Sequence, residues 1–500
     1  MSRVVRSTLL VTILAFAGQI AAFATQMVAA ALFGAGAGMD AFLAASAIPQ
    51  YLSAVLLGSL NFVFVPIFVD YLATGREDEA WQVASTVVSL ILLVLGALVA
   101  LGMLFPGAIL RLTAPGLSSA THLLATQIAM IAWPSILAVG LVSVFTGILQ
   151  AQSHFGWPAT VPVLGAIVSL CVLIALANWL GIVGLAIATT LGMVTQAALL
   201  LSVGIRLGRY RSVLNWRHPA VWQVLHLLIP LVLVNVVTKS TTLLDRFLAS
   251  GLSEGSISHL GYALRILSAL SAIISTGIAT VIFPRMAVNM TKSDPSAFRS
   301  TVSVGLRFMW LAVAPVIAIG TVLALPMIIT VFQRGRFSFA DSTAVAGLLQ
   351  LYMLALAPAC LGSIAGRSFY AMKDTRTLAV FGTIESIAYV IYTPILAHYL
   401  GAVGIVLGYV LLFNGSLLWQ VVTIRYKVGN SGGGNVVRSF IRTGLAAMLG
   451  GATAWSMTQL TSNAWLQLLL GGIFGLLAYN LGLWILKSPE VRQMRATFRS

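Results

Sequence analysis

Five basic residues lie within otherwise apolar sequence, away from the basic loops: Lys239, Arg246, Arg265, Arg307 and Arg367. A cation near mid-membrane costs ~2.5 to 3.5 kcal/mol on insertion scales, so it must face protein or a wet cavity, where it attracts anions. Depth separates the five. Arg307 and Arg367 fall near the ends of their apolar stretches, where a long stem can carry the charge back to the headgroups. Lys239 and Arg246 are seven residues apart, a step that returns to nearly the same helix face about 10 Å along the axis. They form one cationic stripe. Asp245 follows a direction ~100° away from Arg246 and reads as a partner for another helix. Lys239, Arg246 and Arg265 are therefore candidates for an anion site, against the plainer alternative of outer-end or interhelical charges. Among the carboxylates, Asp40 opens an apolar stretch. Glu385 is the one near the middle of such a stretch, a candidate for ion coupling or interhelical pairing.

Other chemistry is missing from the pattern. The six histidines are scattered, and no paired catalytic carboxylates, nucleophile with its base, Walker loop or dinucleotide fingerprint occurs. Cys171 and Cys360 both lie in apolar windows, so neither a disulfide framework nor a metal-ligand spacing is present. The pattern names no catalytic residue, metal or cofactor; dependence on a membrane potential or a coupling ion stays open.

Such charges need helices to hold them in a bilayer. Of 500 residues, 59% are hydrophobic and 8% charged, against ~25% charged in an average soluble domain. Windows of ~20 apolar residues, each able to cross a bilayer, place fourteen spans near 8–33, 41–71, 83–106, 121–150, 159–178, 182–205, 220–249, 257–287, 299–332, 342–371, 377–397, 402–424, 438–459 and 464–486. The first run continues through Leu32, too long for a signal peptide's apolar region, and reads as an uncleaved span. Pro49, Pro230 and Pro326 are candidate kinks. With the N-terminus inside, twenty Lys and Arg fall on the inner side, against Arg111, Arg334 and Arg336 outside. By the positive-inside rule both termini are cytoplasmic and the span count is even. The same bias accounts for most of the +16 net charge and removes the need for a nucleic-acid partner.

The chain also repeats itself. LGIVG at 180–184 recurs as LGAVG at 400–404, FVPIF around Pro66 resembles IFPRM around Pro284, and Gly116 and Gly335 occupy equivalent outer loops, at offsets of 220, 218 and 219. Two copies of six helices cross in the same sense and are related by an axis along the membrane normal, an arrangement suited to alternating access by rocking. The expected organisation is an N-lobe at 1–205, a C-lobe at 206–426, a Gly-rich linker at 427–437, two further helices at 438–486 and a basic cytoplasmic tail at 487–500. The fold class is an all-α polytopic membrane protein around a central cavity.

Residues 33–71, FGAGAGMDAFLAASAIPQYLSAVLLGSLNFVFVPIFVDY, resemble the start of the MurJ (MviN) lipid II flippase family, within the multidrug/oligosaccharidyl-lipid/polysaccharide exporter superfamily. LLDRFLASGLSEGSISHLGYALRI at 243–266, IFPRMA at 282–287, FQRGRFSFADS at 332–342 and FYAMKDTRT at 369–377 follow in the family's order. The resemblance implies fourteen helices in two lobes plus a C-terminal pair, and cavity arginines that hold a substrate pyrophosphate. Arg265 falls where the second-lobe arginine belongs, and Asp40 matches the acidic residue after FGAG. The first-lobe arginines are replaced by Gln19, Thr25 and Ser53, and Gly58 stands in place of a family glutamate. Lys239 and Arg246 are candidates to compensate for the missing charge.

The expected function is an alternating-access flippase that moves a polyprenyl-pyrophosphate-linked glycan, best assigned as lipid II for peptidoglycan synthesis, from the inner to the outer leaflet of a bacterial cytoplasmic membrane. An exopolysaccharide or O-antigen precursor flippase is the alternative. A drug/cation antiporter or a non-transporting scaffold is more distant. The partners are a lipid-linked glycan and membrane lipids; the sequence names no protein partner.

Overall fold

The computed structural model describes residues 3–207, 215–291, 294–429 and 433–490, and among these the chain forms seventeen helices and no strand. Lipid dictates this result, because a chain without water around it must satisfy its backbone N–H and C=O groups inside each helix. The helices are α1 (Arg3–Phe33), α2 (Ala37–Ala73), α3 (Glu77–Leu104), α4 (Pro106–Thr113), α5 (Ser119–Ala132), α6 (Ser135–Ala151), α7 (Gly156–Leu180), α8 (Ile182–Leu207), α9 (Pro219–Ser250), α10 (Ser256–Thr291), α11 (Pro295–Val322), α12 (Ala324–Phe332), α13 (Phe339–Ala371), α14 (Thr375–Leu400), α15 (Ala402–Val428), α16 (Gly433–Thr458) and α17 (Ala464–Ile485). Among the described residues, thirteen stretches are long and apolar enough to cross a membrane, with Ser119–Ala151 taken as one. The chain is an all-α polytopic membrane protein. The expected span at 438–459 is also helical, as α16, but it carries Arg438 and Arg442 and is not among the thirteen.

Two expected single spans are each divided. The run at 121–150 breaks at Trp133 and Pro134 into α5 and α6, because a proline inside a helix lacks an N–H and clashes with the carbonyl four residues back. The run at 299–332 breaks at Leu323. Pro326 is thereby the third residue of α12, in a first turn that needs no proline N–H, and is not a kink within a span. Pro49 and Pro230 lie inside α2 and α9, which continue through them. Arg209, Arg211, Lys292, Arg492, Arg495 and Arg499, together with 430–432 of the expected linker, lie outside the described residues.

The chain separates into two compact units, residues 1–258 with 334–337, and residues 259–333 with 338–500. In the first, α1 packs on α7, α7 on α8, and α2 on α5, α6 and α9. Its core includes the buried Phe64 and Phe68, stacked at 5.5 Å, with Trp81 edge-on to Phe68 at 5.7 Å. In the second, α13 packs against α11 and α15, α14 against α15, and α16 pairs with α17 while resting on α11. Trp310 of α11 stacks on Phe440 of α16 at 4.9 Å and donates its indole N–H to the Phe440 carbonyl.

The sequence repeat has a backbone counterpart. Gly181 and Gly401 join α7 to α8 and α14 to α15 with nearly the same angles, φ 56°, ψ −136° and φ 58°, ψ −133°. At each, the amide three residues on returns to the glycine carbonyl at 3.0 Å. A side chain at positive φ is strained, so glycine is required twice for one turn design.

Candidate functional site

Within the first unit, four chain segments meet at a rim: 31–40, 114–121, 246–258 and 334–337. Asp40, in the first turn of α2, is only 4% exposed. Its carboxylate accepts hydrogen bonds from the Gly255 and Ser258 amides at 2.7 and 2.8 Å and from the Ser258 hydroxyl at 2.7 Å. Glu254 returns the arrangement, accepting from the Ala37 amide at 3.0 Å. Each carboxylate sits at a helix start far away in sequence, where unpaired N–H groups and the helix dipole favour negative charge.

Close backbone contact completes the rim. The Arg336 amide donates to the Ala31 carbonyl at 2.8 Å. Gly335 (φ +58°) lies so near that a Cβ there would come 2.1 Å from the same oxygen. The Gly116 amide donates to the Ser250 hydroxyl at 3.2 Å. Beneath lies a cavity of about 180 Å³ bordered by Asp40, Gly116, Thr121, Ser250 and Glu254.

The predicted charges distribute as follows. Arg246 donates to the Ile257 carbonyl at 3.0 Å, so Asp40 and Arg246 grip the same segment, 255–258. Asp245 is half-buried beside it, while Lys239, two turns earlier on α9, is exposed. Arg265 is half-buried on α10, between the buried pairs Tyr262–Ala263 and Ile266–Leu267 of the second unit. Glu385 lies on α14, also in the second unit.

A larger cavity of about 480 Å³ opens between α1, α7 and α8, bordered by Gln19, Thr25, Gln26 and Gln196. Two of the positions expected to hold first-lobe arginines therefore line a neutral, amide-bearing space. Ser53 turns its hydroxyl back to the Pro49 carbonyl at 2.8 Å, and Gly58 has nothing within 4 Å of a would-be Cβ.

Arg307 departs from the expected reach toward headgroups. It pairs with Glu490 at 3.2 Å, and Glu490 is fully buried and also bonded by Ser439 and Ser488. Burial opposes ionisation of Glu490, but hydrogen bonds from Ser488, its own amide and Ser439, with Arg307 adding charge, hold its pKa below the usual glutamate range. The expected basic tail thus begins with residues packed into the protein. Ser488-Pro489-Glu490 is a legible helix-start signal, masked by the basic residues around it. Glu254 was also missed, although Ser253-Glu254-Gly255-Ser256 precedes a helix. Within the second unit, Asp374 caps α14 and meets Lys427; the Lys427 and Thr377 hydrogen bonds lower its pKa.

The chain resembles known proteins over most of its length. A model of the family "Lipid II flippase MurJ" matches residues 29–473. The probable lipid II flippase MurJ of Vibrio cholerae serotype O1 is 26% identical over 99% of this chain and 98% of the relative. The lipid II flippase MurJ of Burkholderia cenocepacia is 25% identical over 79% of each. A solved lipid II flippase MurJ in an inward closed conformation matches with a TM-score of 0.84 at 23% identity, over 95% of this chain and 98% of that one. An inward-facing multidrug resistance MATE transporter of the MOP superfamily matches with a TM-score of 0.69 at 16% identity, over 82% and 98%. These structures share the fold.

Proposed function

The chain belongs to the lipid II flippase MurJ family, and from that premise we propose that it carries lipid II from the inner to the outer leaflet of the bacterial inner membrane by alternating access. It is a membrane transporter and not an enzyme. The observation that carries the reading is the family match across residues 29–473, which takes in Asp40, Arg265 and the whole rim.

In this reading the rim is a closed outer gate. Its bonds are many, local and reversible: carboxylates on helix starts and backbone amides on carbonyls, which water can replace when the gate opens. Arg265 is the pyrophosphate ligand, because a guanidinium offers a planar fork that matches phosphate oxygens. Lys239 adds charge, and Arg246 holds the gate segment. The neutral α1–α7–α8 cavity leaves that side of the site to hydroxyl and amide contacts with the saccharide. We take 1–205 and 206–426 as the lobes that rock, and both termini as cytoplasmic. Net negative charge moving outward would be driven by an inside-negative potential.

The test is reconstitution of the full chain in liposomes with fluorescent lipid II on one leaflet. Acceleration of its transfer over protein-free liposomes supports the reading. No acceleration for lipid II, with transfer of another polyprenyl-pyrophosphate saccharide under the same conditions, would overturn the substrate assignment.

A further inference from the structure

Glu385 has no task in the gate or in the pyrophosphate site, yet it is a carboxyl group placed near mid-span on α14. Its Oε1 is buried and without a hydrogen-bond partner, and two neighbours on the facing helix α15 share that condition: the Trp419 indole N–H and the Gln420 side-chain oxygen. Buried polar atoms are almost always paired, so three orphaned atoms on two packed helices demand an explanation. The Ser416 hydroxyl and the Trp419 N–H are the neighbouring donors that act on the carboxyl. Ser416 accepts from the Gln420 amide at 3.0 Å, which leaves its own hydrogen free to donate to Glu385. Gln420 is 8% exposed and faces Gly362 and Gly366 of α13. Trp419 is held flat against Phe381 at 4.5 Å.

Among the described residues no counter-cation completes this cluster, and no ion pair within 4 Å reaches Glu385. The titratable groups nearest in sequence to the cluster are Tyr389 on α14, Tyr409 and Arg425 on α15, and Cys360 and Arg367 on α13; none of them is among the groups acting on the carboxyl. A hard metal cation requires a shell of oxygen ligands, whereas here an indole donor, which repels cations, occupies one side. A proton needs no shell. A neutral carboxyl places no demand on the Trp419 donor, which stands unpaired. When it is ionised, Trp419 can close onto Oε1 and supply a second hydrogen bond without moving α14.

We propose that Glu385 is a proton-exchange site, with Ser416 and Trp419 as the donors that accommodate its ionised form, and that its protonation is coupled to the flipping cycle. The coupling rests on the transport reading above; the proton exchange does not. In exchange, the Glu385 O–H bond breaks, its electron pair stays on the carboxylate, and the proton passes to water.

Two measurements on the full-length protein decide the matter. Infrared difference spectra across a pH titration should contain a carboxylic-acid C=O band that is absent in Glu385→Gln and displaced along the pH axis in Trp419→Phe. With lipid II in proteoliposomes, a one-unit pH gradient without electrical potential should shift the steady-state leaflet distribution about tenfold for one coupled proton per cycle, and Glu385→Gln should show no shift. A spectrum with no pH-dependent band removed by Glu385→Gln would overturn the proton site. A titrating band with a leaflet distribution indifferent to the gradient would overturn the coupling. If wild type moves no lipid II at all, the transport reading falls, and the infrared titration still decides whether Glu385 exchanges a proton.

Discussion

Arg265 and Asp40 carry opposite burdens. Arg265→Ala should abolish lipid II transfer while leaving insertion intact, and Arg265→Lys should keep part of it, because charge survives without the fork; full transfer by the alanine variant would remove Arg265 from the site. Asp40→Asn keeps the shape but puts an amide N–H against the Gly255 and Ser258 donors. Losing hydrogen bonds to a charged acceptor costs about 1.5 to 3 kcal/mol each. Faster hydrogen exchange confined to the rim segments should follow, and unchanged exchange at 250–260 would contradict the gate. Neutralising Lys239 and Arg246 together should weaken lipid II binding more than neutralising Arg367; Arg307 is no control for that comparison, since it is bound to Glu490. Glu490 also sets a pH dependence. Its folded pKa lies below the ordinary value of 4.5, so its stabilisation is present above that value and fades as pH falls through the depressed one. Protease resistance of α16 and α17 should drop in that acid window, and Glu490→Gln should lower it already at neutral pH, by about 3 to 5 kcal/mol for a broken buried pair. The charges at membrane depth were legible in the sequence because they violate its dominant pattern. Their partners were not, because Gly255, Ser258, Ile257 and Glu490 lie far along the chain or contribute backbone atoms that carry no residue-specific signal.

Helices were legible wherever apolar length alone decides. All fourteen expected stretches are helical, and their ends fall within a few residues of the turn and cap signals. Where one apolar run holds two helices, length misled: no charge interrupts the run at Trp133–Ser135 or at Leu323, and only backbone chemistry divides the helices. The short α4 was missed for a related reason, being too brief to register as a span. At the level of connections the rim loops make the sharpest prediction. Gly335→Ala adds a methyl 2.1 Å from the Ala31 carbonyl at a positive φ, a strain of about 1 to 3 kcal/mol before the clash is counted. Gly347→Ala has open space on α13. Melting of the two purified variants should separate them clearly, and equal melting points would show that the 334–337 loop does not hold the rim together.

For the molecule in its membrane, the twenty-to-three charge bias predicts that a cysteine placed at Gly335 reacts with an impermeant reagent in intact cells, whereas one at Ser212 reacts only after permeabilisation. The reverse pattern would invert the protein and turn the rim into an inner gate. Recurring motifs made the repeat readable, and composition made the membrane and the span pattern readable, since lipid imposes them on every residue. The cavities were beyond its reach, because neither Gln19 nor Thr25 reveals from sequence that it borders a common space with Gln196 of α8. One feature also governs how the protein is made. Asp40 leaves the ribosome more than two hundred residues before Gly255 and Ser258, and the amide of Ala37 waits as long for Glu254. During synthesis the start of α2 is therefore inserted with its amide uncapped and its carboxylate unmatched, and the rim is finished only after α9 has entered the membrane. Assembly of the first half is timed by the translation of the second.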